Sequence, residues 1–113
     1  MASMNKAILM GRLTADPEIR YTANEKPVAH FSIAVDRPTK DGEKSVDFIN
    51  CVAWEGLAKV CGEWLKKGRL VAIEGRIQVR KYQDKAGKSQ TWTEIVAKNL
   101  QILEWSKKEK AAK

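Results

Sequence analysis

The stretch Val46-Asp47-Phe48-Ile49-Asn50-Cys51-Val52-Ala53-Trp54 runs straight into Glu55-Gly56-Leu57-Ala58-Lys59-Val60-Cys61-Gly62-Glu63-Trp64-Leu65-Lys66-Lys67, and the two parts differ in period. The first part alternates. Ile49, Cys51 and Ala53 make a medium-sized apolar face, and Phe48, Asn50, Val52 and Trp54 make the opposite one, the pattern of a half-buried strand. From Glu55 the period changes. Leu57, Val60, Cys61, Trp64 and Leu65 recur at three- and four-residue intervals, which predicts one amphipathic helix of about three turns over Glu55 to Lys67. Gly68 then supplies a stop, with Lys66 and Lys67 at the negative end of the helix dipole.

Strand patterns flank this unit on both sides. Upstream, Lys6 to Leu13 sets Ala7, Leu9 and Leu13 against Lys6, Ile8, Met10 and Arg12, until Asp16-Pro17 breaks the run. Val28 to Val35 follows with Phe31, Ile33 and Val35 on its core face, and Pro38 to Lys44 reads as a hairpin loop. Downstream, a long strand from Arg69 to Tyr82 turns Val71, Ile73, Ile77 and Val79 inward. Asp84 to Lys88 is the next turn, and Thr91 to Leu103 is the last strand. The order is three strands, one helix and two strands, with Gly11 and Gly75 placed where small closed barrels need tight coiling or bulges. Periodicity therefore predicts an all-β barrel or sandwich with one helix. A five-stranded OB-fold barrel with its helix between strands three and four is one arrangement that fits.

The chain has 113 residues, the size of one domain, with 43% hydrophobic and 31% charged residues, a globular composition. No apolar run approaches the roughly 20 residues that span a bilayer, and no secretory signal opens the chain, so a membrane protein is not expected. Met1-Ala2-Ser3-Met4 reads as a short leader. Residues 1–105 are expected to form the domain and the lysine-rich 106–113 a short disordered tail.

The net charge of +7 favours a polyanionic partner, nucleic acid being the commonest. Charge used only for solubility is the plainer alternative, and no basic amphipathic helix supports a membrane surface. Cys51 and Cys61 form no CxxC pair, and with a single histidine, His30, no four-ligand zinc set exists, so no metal and no cofactor are expected. Both cysteines fit buried, reduced thiols of a cytosolic protein.

The outward faces carry the chemistry. Phe48, Asn50 and Trp54 share one parity, and Arg76, Arg80 and Tyr82 share the parity of theirs. On one barrel these would alternate rings and guanidinium groups over a solvent-facing surface, which suits single-stranded nucleic acid, since bases stack on rings and cations neutralise phosphates. Duplex readers use a helix in the major groove, and the helix here is committed to the core. Each residue has a plainer reading. Phe48 and Trp54 fit a plug at a barrel mouth as well as a stacking platform, and Arg76 and Arg80 fit cross-strand pairs with acids. Trp64 reads as core. Trp92 and Trp105 stay open between DNA and a subunit contact, and His30 has no assigned role. Glu74 and Glu94 are strand acids that could face each other, yet no nucleophile–base motif and no Gly-rich phosphate loop accompany them, so no enzyme is expected.

Five stretches carry a resemblance: Asn5 to Leu13 (NKAILMGRL), Asp16 to Thr22 (DPEIRYT), Phe31 to Pro38 (FSIAVDRP), Asp47 to Trp54 (DFINCVAW) and Ile73 to Tyr82 (IEGRIQVRKY). In this order and spacing they resemble the bacterial single-stranded DNA-binding proteins from Met4 to Leu103. The resemblance implies an OB-fold, assembled as a homotetramer with a dimer as the alternative. It implies sequence-independent binding and protection of single-stranded DNA in replication, repair and recombination, in a cytoplasmic, nucleoid-associated setting.

It also implies base stacking at Phe48, Trp54 and Tyr82, and a phosphate path along Lys6, Lys67, Arg76, Arg80 and Lys81. Arg12 and Asn50, on outward strand faces, complete the candidate set. Ile8, Met10 and Val28 are candidate subunit contacts. Thr39 stands where many members carry a further stacking aromatic. The family's acidic C-terminal tip has no counterpart before Lys113, so tip-dependent recruitment of replication and repair enzymes is expected to be absent. A primosome-type OB-fold adaptor and an RNA-binding OB protein are the alternatives.

Overall fold

A computed structural model describes residues 2–40 and 42–104. The chain runs β1 (Ala7–Leu13), β2 (Glu18–Tyr21), β3 (Pro27–Arg37), β4 (Ser45–Trp54), α1 (Glu55–Trp64), β5 (Leu70–Gln83) and β6 (Ser89–Ile102). The strands follow the order β1-β5-β6-β4-β3-β2, and a further β1–β3 pairing closes the sheet on itself. The short β2 is not marked by any periodicity. It continues β1 along the same partner: Leu13 pairs with Ile33, and after an interruption at Thr14–Pro17, Glu18 pairs with His30. Pro17 lacks a ladder donor, so the strand breaks there and resumes. With β1 and β2 as two halves of one bent strand, the sheet is a closed five-stranded barrel.

Closure brings backbones close together at two glycines. A Cβ on Gly11 would collide with the carbonyl of Ala34, beside the β1–β3 seam, and one on Gly75 would collide with the carbonyl of Val96. The second lies at a bulge, where the β5–β6 register shifts between Glu74 and Gly75. The core holds Phe31, Ile33, Cys51, Ala53, Val71 and Ile73, with Ala58 and Cys61 of α1 laid over it. Burial pushes both free thiols up to about 12, so they stay protonated at neutral pH.

The structure departs from the sequence pattern at several positions. The helix ends at Trp64, and Leu65 turns extended (φ −89°, ψ 141°) and drops its side chain into the core. Lys66 and Lys67 therefore lie outside the helix, and Gly68 (φ +88°) shapes the turn into β5. Ile77 and Val79 are 44% and 58% exposed, because β5 loses its β1 partner beyond Gly75 and continues with β6 alone as a two-stranded ribbon. Val52, on the outward face of β4, is buried between His30 and Val96. Val28 is buried too, so of the three candidate contacts only Ile8 and Met10 are exposed.

Candidate nucleic-acid interface

Register shows that the outward faces of four strands are one surface. Arg76 lies opposite Val96, Val96 beside Val52, and Val52 opposite His30, a row running β5–β6–β4–β3. Side chains alternate along each strand, so Gln78, Arg80 and Tyr82 share this surface with Trp92 and Glu94 of β6 and with Phe48, Asn50 and Trp54 of β4. Phe48 is 70% exposed, Tyr82 49% and Trp54 47%, and none belongs to the core. Trp54 closes β4 in an extended conformation just before α1, and its ring lies outside the barrel core. Phe48 and Trp54 stand six residues apart on one strand, about 20 Å, a separation no single base spans.

The cations differ in their availability. The side chains of Arg76, Lys67 and Lys81 make no ion pair or hydrogen bond among the described residues, although the Lys67 backbone amide donates to Asp16 Oδ1 at 2.8 Å. Lys6 is 3.6 Å from Glu74 and sits one residue beyond the Ala7–Gly75 pair, across from Arg76. Arg80 is held by the carboxylate of Glu94, with Nε–Oε1 at 2.9 Å and Nη2–Oε2 at 3.3 Å, so its charge is shared with a buried acid. Arg12 stands apart from the aromatic surface. Its guanidinium donates to both carboxylate oxygens of Glu104 (3.1 and 2.8 Å) and to the Gly68 carbonyl, which holds the Glu104 carboxyl below its usual range. Lys81, by alternation, points from the opposite face of the ribbon.

Glu74 and Glu94 do not face each other. Glu74 meets Lys6 and Asn99, whereas Glu94, beyond the bulge, meets Gln78, Arg80 and Trp92. Among the described residues no group of His, Cys, Asp and Glu side chains could hold a metal ion, and no helix is long and apolar enough to cross a membrane. Thr39 bonds through its hydroxyl to the Glu43 carbonyl inside the β3–β4 loop. Trp105 and residues 106–113 lie outside the described residues.

Sequence reasoning left one feature unread. β4 and β6 pair only at Cys51–Ile95 and Val52–Val96, and near where they part a groove of about 430 Å³ opens on the aromatic surface. Arg20, His30, Ser32, Asn50, Trp92 and Glu94 line it. The signal for Trp92 lay in its parity with Glu94, but the burial of that acid depends on strands far away in sequence.

A closed five-stranded barrel, covered by one helix that follows its third full-length strand, defines an OB-fold protein. Within that class, the family model described as the single-strand binding protein family matches residues 4–103. The chain belongs to that family. It is 47% identical over 103 residues to a single-stranded DNA-binding protein of Halalkalibacterium halodurans, covering 89% of this chain and 61% of that protein. It is 48% identical to single-stranded DNA-binding protein 1 of Streptococcus pyogenes serotype M18, covering 89% of this chain and 79% of the relative. The chain thus spans three-fifths to four-fifths of the length of these curated relatives.

Proposed function

We propose that this chain binds single-stranded DNA without strong sequence preference and without catalysing a reaction on it, serving replication, repair and recombination in the cytoplasm at the nucleoid. The observation that carries this reading is the shared surface on which Phe48, Trp54 and Tyr82 are exposed beside Arg76. A single strand offers bases to rings and phosphates to cations at once, whereas a duplex keeps its base faces stacked inside. Family membership and the printed names of the relatives support the same reading. A homotetramer is the assembly we propose. It is supported by the exposed apolar Ile8 (69%) and Met10 (58%) on β1, a surface that self-association would cover.

A tryptophan-fluorescence titration with oligo-dT, run beside the same sequence as duplex at two salt concentrations, tests the binding. Quenching by the single strand, little by the duplex and affinity falling with salt are expected. Absence of both quenching and binding would overturn the reading and leave the aromatic surface to a protein partner.

A further inference from the structure

We propose that Trp92 is a further stacking platform, seating one nucleobase in the groove between β4 and β6. This rests on the reading that the chain binds single-stranded DNA. The indole is set in place by its own polar handle: Nε1 donates to Glu94 Oε2 at 3.1 Å. That carboxylate is almost wholly buried and also accepts Gln78 Nε2 at 3.1 Å and the two Arg80 bonds, so it is fixed from three sides. Trp92 nevertheless remains 40% exposed. Its ring is both available and oriented, and a base meeting it loses little freedom that the protein has not already given up.

The groove beside the ring suits a base and not a phosphate. Its lining carries the carboxylates of Asp16, Glu18 and Glu94, against the single guanidinium of Arg20, which itself bonds Glu18 at 2.6 Å. Negative charge there repels the backbone, which keeps the phosphates toward Arg76 on the same surface, a guanidinium with no ion pair among the described residues. The polar side chains of His30, Ser32 and Asn50 make no hydrogen bond among the described residues, so they can meet the edge of a seated base. At about 430 Å³ the groove falls within the range of small-ligand sites.

The test is anisotropy of labelled oligo-dT with the full chain and with Trp92→Phe, Trp92→Leu and Trp54→Ala. Trp92→Leu is expected to weaken binding by roughly 5- to 150-fold, the worth of one stacked base, and Trp92→Phe to retain most of the affinity. Wild-type affinity in Trp92→Leu, with Trp54→Ala weakened, would overturn the Trp92 assignment while leaving the binding function intact. Failure of the unaltered chain to bind would instead overturn the function itself. Should Trp92→Leu not fold, ¹⁹F NMR of the 5-fluorotryptophan-labelled wild-type chain decides. The Trp92 resonance, identified with Trp92→Phe, is expected to shift on adding oligo-dT. A stationary Trp92 signal while that of Trp54 moves would overturn the proposal.

Discussion

The two halves of β5 alternate alike and end up in opposite environments. Between Leu70 and Gly75 the odd residues Val71 and Ile73 are 0% and 1% exposed, while Ile77 and Val79, of the same parity and chemistry, are 44% and 58% exposed. The first half is clamped between β1 and β6, whereas the second pairs with the strand β6 and meets just the Asn5 side chain, at the Ile77 backbone, on its other edge among the described residues. Alternation decides which face a side chain takes, but neighbouring layers decide whether that face is buried. The clamped half supports the barrel. The free half carries Arg76, Arg80 and Tyr82 out along one face of a ribbon.

Truncation should separate the halves most strongly. Ile73→Ala is expected to cost about 2–5 kcal/mol in a denaturant melt, since it empties a sealed site. Val79→Ala should stay within about 0.5 kcal/mol. Equal losses would mean that the ribbon is packed in solution, and the contrast would fail.

Binding should invert that order. Trp54→Ala and Tyr82→Ala are each expected to weaken oligo-dT binding by about 1–3 kcal/mol while leaving the melting midpoint near that of the parent. A variant that bound normally but melted much earlier would show its ring to be structural. A smaller effect is expected for Arg76→Ala, which should lower the slope of log affinity against log salt by about one phosphate contact.

The smallest effect concerns the ribbon's tip. Asp84 accepts the amides of Lys88 (2.9 Å) and Ala86 (3.0 Å) and the side chain of Gln90 (3.1 Å), and these bonds hold its carboxyl below the usual aspartate value. A pKa lower in the folded than in the unfolded chain stabilises the turn above roughly pH 4, and that contribution fades as pH falls through the folded value. An NMR titration should therefore show the Ala86 and Lys88 amides shifting with an acidic midpoint that Asp84→Ala abolishes. A midpoint at or above the usual value would contradict the turn geometry.

The sequence carried the features that local chemistry writes into it. The change of period at Glu55 marked where β4 gives way to α1, and the parity of Phe48, Trp54, Arg76 and Tyr82 anticipated their common surface because alternation follows from the pleat. What escaped depends on distant partners. The exposure of Ile77 and Val79 follows from where β1 begins, and the burial of Val28 and Val52 follows from the strands beside them. The four residues of β2 are too few to show a period, and the helix ends at Trp64 because the core takes the Leu65 side chain. The fixed orientation of Trp92 needs Glu94 to be buried, which no local pattern reveals.

One face of the β5–β6–β4–β3 sheet is expected to meet the bases. Photo-cross-linking to an oligomer carrying 5-iodouracil, with the linked peptides mapped by mass spectrometry, tests it most directly. Cross-links concentrated at Phe48, Trp54 and Tyr82 are the expected result. Cross-links falling on α1 and β2, with those three rings unlabelled, would contradict it.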